Sequence, residues 1–146
     1  MPMYLLDTNV VSELRRIRPH GAVLAWLGTV SDEDLHLSAV TIGEIQAGIE
    51  ITREQDRDKA AEIEAWLEQV ADTYNILNMD ARTFRLWARL LHRRPDHLIE
   101  DAMIAATATA HNLIVATRNV RDFEGLGVRT LNPFDPKDDW RATAKT

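Results

Sequence analysis

Four acidic residues stand where chemistry is most easily built. Asp7 follows the first short apolar run, and Glu44 lies one turn into the helix expected after the second. Asp101 stands early in the helix that feeds the fourth run, and Asp122 lies just beyond that run. Carboxylates gathered at one place raise one another's pKa and destabilise a fold unless a cation neutralises them. No Lys or Arg adjoins Asp7, Glu44 or Asp101 in the chain, whereas Arg118 and Arg121 flank Asp122. A hard divalent cation suits such an all-oxygen set: Mg²⁺, with Mn²⁺ as a substitute. An acidic site of this kind activates water and polarises a phosphoryl oxygen, and two metals can hold the attacking and leaving oxygens of an in-line displacement. The chemistry indicated is phosphodiester hydrolysis.

Each acid also has a plainer explanation. Asp7 would serve as the N-cap of the next helix. Thr41-Ile42-Gly43-Glu44 fits a capping box, with Glu44 bonded to a backbone N–H. Asn119 followed by Asp122 reads as another cap with an acid in the first turn. Asp101 resists this treatment. At helical spacing it shares a face with Leu98, Ala105 and Ala108, the face expected to pack on a sheet, while Glu100 points with Met103, Thr107 and His111. An ionised carboxylate on an inward face is costly unless paired or bound to metal.

Other chemistries are disfavoured. The chain has no cysteine, so thiolate sites, cysteine nucleophiles and disulfides are excluded. His20, His36, His92, His97 and His111 show no zinc-ligand spacing. No Gly-rich phosphate loop and no Ser-His-Asp signature stands out. A net charge of −6 and a pI of about 5.3 argue against a protein that coats nucleic acid by bulk charge. They leave room for an enzyme with a local basic strip.

The elements that must position these residues follow from periodicity. Strands are expected at Met3–Leu6, Leu35–Ser38, near Tyr74–Leu77, at Leu113–Ala116 and at Val128–Leu131. Helices are expected from Thr8 to a break at Pro19, over Ala22–Val30, Thr41–Ile51 and Glu54–Asp72, from the cap Asp80 to His92, and over Asp96–His111 with Asn112 as C-cap. A short helix starts near Asn119. In the long helix Ile63, Trp66, Leu67 and Val70 share one face, and its acids form a solvated one. This alternation implies parallel crossovers and an α/β/α three-layer sandwich around a short, mostly parallel sheet. Ligands of such sheets collect outside the carboxyl ends of the strands, where the acids fall. The 146 residues suit one domain, 1–134, with a tail of 135–146. No export signal is visible, and the longest low-polarity stretch, Ala102–Ala110, is well short of the roughly 18–20 apolar residues that span a bilayer. A cytoplasmic location is expected.

Arg82, Arg85, Arg89 and Arg93 recur at helical spacing, with Phe84, Trp87 and Leu91 opposite and expected to face the core. The strip is either a solvated helix face, a phosphate track beside the acids, or a docking strip for an acidic partner. Arg15, Arg16 and Arg18 form a second basic cluster.

The segments around the four acids resemble the motifs of PIN-domain ribonucleases of the VapC type, the toxins of type II toxin–antitoxin systems. They are Leu5-Leu6-Asp7-Thr8-Asn9-Val10, Val40-Thr41-Ile42-Gly43-Glu44-Ile45, Asp101-Ala102-Met103-Ile104-Ala105-Ala106-Thr107-Ala108 and Thr117-Arg118-Asn119-Val120-Arg121-Asp122-Phe123, followed by Gly127-Val128 and Asn132-Pro133-Phe134. Any one is weak; four in order, across Met3–Phe134, are specific. The resemblance implies a four- or five-stranded parallel sheet, a homodimer, and Mg²⁺- or Mn²⁺-dependent endonuclease activity on RNA. It carries metal and catalytic roles onto Asp7, Glu44, Asp101 and Asp122, and supporting polar roles onto Thr8, Asn9, Thr117 and Asn119. The implied partner is a small antitoxin that binds operator DNA as part of the complex. Two rival readings stand beside it. One is a non-catalytic module that binds RNA or antitoxin. The other, ranked last, is a phosphatase with an aspartyl nucleophile, which usually wants a second acid where this chain has Asn9.

Overall fold

The computed structural model describes residues 2–136. Five strands, β1 (Tyr4–Leu6), β2 (Leu35–Ser38), β3 (Asn75–Leu77), β4 (Ile114–Ala116) and β5 (Thr130–Leu131), form one sheet in the order β3-β2-β1-β4-β5. Every pairing is parallel. Parallel sheets need both faces covered, so their strands read as near-continuous apolar runs. Here β1 and β4 are buried throughout.

Alternation along the strands divides the core in two. Tyr4, Leu6, Leu35, Leu37, Ile114 and Leu131 face a cluster with Val10, Val11, Val23, Trp26, Val70 and Phe134. Those residues come largely from α1 (Thr8–Glu13), α2 (Gly21–Leu27) and α4 (Arg57–Thr73). Leu5 and Val115 point the other way, onto Ile104, Ala105 and Ala108 of α6 (Ile99–His111) and onto Phe123 and Leu126. Ile49, Ala60 and Leu67 zip α3 (Ala39–Gln55) to α4. The three-layer architecture expected from the sequence is the one observed.

Local signals account for most boundaries. Asp80 caps α5 (Ala81–Leu91) by accepting from Thr83 N at 2.9 Å and Thr83 Oγ1 at 2.7 Å. Asn112 ends α6 in the left-handed region at φ 55°, which Asn tolerates better than most residues. The first helix is shorter than Pro19 alone would make it. It stops at Glu13, whose buried carboxylate accepts from His20 N at 3.0 Å and pairs with Arg16 Nε at 2.8 Å, closing the turn into α2. A tertiary hydrogen bond of this kind has no sequence signature. Among the described residues no helix is long and apolar enough to cross a membrane. Of the expected tail, residues 137–146 lie outside the described residues.

Two expectations for α5 need correction. Phe84 is 44% exposed rather than core-facing, and its ring meets Trp87 edge-on at 6.1 Å between centroids. Helix α5 packs principally on α6, which covers only part of its apolar face, while Trp87 and Leu91 are half-buried. Arg93 is not on the helix: α5 ends at Leu91, and Arg93 takes φ 64° in the following turn.

Candidate active site

Asp7 anchors the site. It is the first residue after β1, and its backbone N–H donates to Ala116 O at 2.9 Å, so the ends of β1 and β4 are locked side by side. Its side chain is 6% exposed. Oδ1 accepts from Thr8 N at 2.8 Å, the capping bond that starts α1. Oδ2 accepts from Thr117 Oγ1 at 2.8 Å and from Asn9 Nδ2 at 3.3 Å. Of the about four lone-pair sites on a carboxylate, three are therefore committed to holding it still. The cap reading and the site reading of Asp7 are both true of one side chain.

Glu44 is linked to this anchor by Thr8. The single Thr8 hydroxyl proton reaches two acceptors, Glu44 Oε1 at 3.1 Å and Thr41 Oγ1 at 3.2 Å. The capping-box reading of Glu44 fails. Ser38, not Thr41, caps α3 by accepting from Val40 N at 3.1 Å, which places Glu44 deeper in the helix. Buried Thr41 is a residue of the site that sequence reasoning missed. Its only signal was a Thr one turn before an acid.

Asp101 is half-buried on α6, while Glu100 beside it is exposed. Leu98, Ala105 and Ala108 on the Asp101 face are buried as expected, but so is Thr107, which the helical phase placed with Glu100 and whose hydroxyl donates to Met103 O at 2.9 Å. Small Ala105 and Ala108 pack with Leu5 and Val115, so α6 lies close against the sheet. Asp122 lies in the short 3-10 helix Val120–Phe123.

The electrostatics show how these side chains relate. The Asp101 carboxyl is pushed up to about 6, first by desolvation and then by repulsion from Asp7, Asp122, Glu44 and Glu100. Asp7 is raised by burial, with Asp122 adding to the shift and its hydrogen bonds to Thr117, Thr8 and Asn9 opposing it. Glu44 is raised by partial burial, opposed by Thr8 and reinforced by Asp7 and Glu100. No ion pair among the described residues involves Asp7, Glu44, Asp101 or Asp122. The fold thus brings four acids from distant parts of the chain within electrostatic reach, and among the described residues none of them is ion-paired.

A model of the PIN domain matches residues 4–127. The chain belongs to the PIN domain family. The VapC ribonuclease Y4jK of Sinorhizobium fredii is 36% identical over 139 residues, covering 92% of this chain and 99% of its own. Toxin FitB of Neisseria gonorrhoeae is 34% identical over 138 residues, covering 90% and 99% respectively. The solved structure of FitAB bound to a DNA fragment contains a chain of the same shape, with a TM-score of 0.79 at 31% identity, covering 92% of this chain and 98% of that one.

Within this PIN domain the donor set suits a hard cation. It is all oxygen, mutually repulsive and uncompensated, and a metal is the simplest relief. Among the described residues no group of three or more His, Asp or Glu side chains is arranged to hold a metal ion as it stands. The carboxylates lie within electrostatic range rather than in a finished cage.

The supporting polar residues of the PIN site divide by role. Asn9 bridges strands: its Nδ2 serves Asp7, and its Oδ1 accepts from Arg118 N at 3.1 Å. Thr117 is fully buried and also accepts from Asn119 N at 2.9 Å. Asn119 contributes through its backbone, and its side chain makes no capping bond. The arginine strip lies elsewhere. Arg82 and Arg89 line a cavity of about 380 Å³ with Asp80, Thr109 and His111. Thr109 is eight residues along α6 from Asp101, about 12 Å at 1.5 Å per residue. Arg85 is exposed on the same helix.

Proposed function

We propose that this PIN domain is a Mg²⁺-dependent endoribonuclease, with Mn²⁺ as a substitute, acting as the toxin of a toxin–antitoxin pair. The observation that carries the reading is the convergence of Asp7, Glu44, Asp101 and Asp122, none of which is ion-paired among the described residues. Similarity to proteins named as a VapC ribonuclease and a toxin supports it.

Asp7 and Asp101 would hold the principal metal, with Glu44 and Asp122 completing its coordination. When bound, the cation supplies the positive charge that polarises the scissile phosphoryl oxygen and favours ionisation of the attacking water. The protein's own part is orientation. Thr117 and Asn9 fix the outer oxygen of Asp7, and Thr8 ties Glu44 to the same strand end. Rigid ligands hold reacting groups in line, which is where much of the rate advantage of a phosphoryl-transfer site arises. RNA would enter single-stranded, because an exposed backbone reaches a recessed pocket that a duplex does not.

The antitoxin partner, the homodimer and operator binding through the antitoxin complex belong to the same proposal. The FitAB structure on DNA is consistent with the last of these.

The test is incubation of the purified protein with a mixed pool of structured and single-stranded RNAs in Mg²⁺, Mn²⁺ or EDTA, beside Asp7→Asn and Asp101→Asn. Metal-dependent cleavage absent from both variants is expected. Equal cleavage by the variants would sink the assignment. No cleavage in any lane, with no metal binding by calorimetry, would favour a non-catalytic RNA- or antitoxin-binding module.

A further inference from the structure

We propose that Arg118 is a phosphate-binding residue that seats single-stranded RNA at the mouth of the carboxylate site, with the Phe134 ring holding it for that task. The inference rests on the ribonuclease reading above and goes beyond it to a specific contact with substrate.

Arg118 is anchored to the site through its backbone. Its N–H donates to Asn9 Oδ1 at 3.1 Å, and Asn9 Nδ2 is bonded to Asp7 Oδ2 at 3.3 Å. Its Cα is therefore fixed next to the end of β4, one residue past Thr117, which also holds Asp7. The side chain is exposed, yet it is not loose. Its guanidinium carbon sits 4.1 Å from the centroid of the Phe134 ring. That ring is itself buried, and His20 meets it edge-on at 5.3 Å.

This mode of holding an arginine matters. A guanidinium held over an aromatic ring by cation–π attraction keeps its charge and its N–H donors for phosphate. Three other arginines are spent internally. Arg16 is bonded to Glu13, Arg53 to Glu50 and Glu64, and Arg94 to the carbonyls of Leu90 and Gly125. Among the described residues the Arg118 side chain makes no ion pair and no side-chain hydrogen bond. It is pre-positioned and charged.

A chain of net charge −6 with an acidic pocket repels a polyanion, so substrate entry calls for a local cation. Arg118 supplies one beside the residues that hold Asp7. Its backbone lies one residue past Thr117, the partner of Asp7, so the phosphate it takes is one that flanks the scissile one. Its contribution falls on binding, and so on KM rather than kcat.

The test uses the full chain carrying Asp101→Asn, which binds without cutting, and a short fluorescein-labelled oligouridylate followed by anisotropy across a KCl series. Adding Arg118→Ala should weaken binding about three- to tenfold and flatten the slope of log K against log salt by about 0.7, the value for one phosphate contact on a single strand. Arg118→Lys should keep the slope and lose part of the affinity. Phe134→Leu should do the same, its fold checked by melting. In the active enzyme Arg118→Ala should raise KM and leave kcat unchanged. Arg118→Ala binding with unchanged affinity and slope would overturn the inference while the ribonuclease reading stands. A fall in kcat with unchanged KM would overturn the flanking-phosphate role. Failure of the Asp101→Asn parent to bind the RNA at any salt would bring down both.

Discussion

Thr117 Oγ1 stands 2.8 Å from Asp7 Oδ2 in the buried seam where β4 and β1 end side by side. The two residues are 110 apart in the chain, and the bond exists only because the strands are paired in register. Thr117→Val keeps the shape but removes the donor. We expect a loss of about 1–2 kcal/mol in denaturant unfolding, because a buried carboxylate oxygen loses a partner. Metal affinity should fall with it, since Asp7 is no longer held. Thr117→Ser should restore both; a fully active, fully stable valine variant would contradict the orienting role.

Asp101 makes stability depend on pH in a definite direction. Its folded carboxyl lies near 6, above the ordinary 3.8. A raised carboxyl favours the fold when protonated, so this contribution is fully present below about pH 4 and is lost as pH rises towards and through 6. Asp101→Asn removes the titration. In metal-free buffer the variant should melt higher than the parent at pH 7, and the gap should close towards pH 4. A gap that is flat with pH would show that like-charge repulsion and burial at this position do not limit the fold.

Divalent cation should reverse that penalty. Thermal melts at pH 7 should shift upward with Mg²⁺ or Mn²⁺, by the equivalent of about 2.7 kcal/mol at a hundred times the Kd. The shift should shrink at pH 5, where the proton on Asp101 competes with metal. Asp7→Asn and Asp101→Asn should abolish it. A parent protein whose melting ignores both cations would speak against the metal assignment.

Thr8→Val tests the link between Asp7 and Glu44. The change removes the hydroxyl that reaches Glu44 Oε1 and Thr41 Oγ1 and leaves the Thr8 N–H cap to Asp7 in place. We expect circular dichroism to be unchanged and RNA cleavage to fall about tenfold, in line with the loss of an outer partner to a metal ligand. Unchanged cleavage would assign Thr8 to folding alone.

Arg93 sits at φ 64° outside α5. A non-Gly residue there costs roughly 1–2 kcal/mol. Arg93→Gly should therefore raise the melting temperature, and it should alter RNA binding only if this arginine, rather than its backbone turn, is used.

Much of this fold is legible in the sequence. The apolar runs around Leu5, Leu37 and Val115 gave the strands, because a sheet buried on both faces admits little else. Asp80 and Asn112 marked helix ends through chemistry local to those positions. The helical phase of Asp101 against Ala105 and Ala108 separated it from Glu100. All of these are short-range relations, and composition and periodicity record them directly.

Long-range relations were decided by the tertiary structure. Ser38 rather than Thr41 begins α3, because strand β2 runs straight into the helix, and this turned Glu44 from a cap into a partner of Thr8. Phe84 lost its place in the core because α5 packs chiefly on α6 along another part of its surface, and Arg82 and Arg89 fell at the far end of α6 from Asp101. Phe134 came under Arg118 through the packing of the segment after β5. The sequence alone determined which residues were acidic, apolar or helix-ending, since those follow from each residue and its near neighbours. Which of them meet was left to strand order and helix coverage, because a contact between residues far apart in the chain depends on how every intervening element packs.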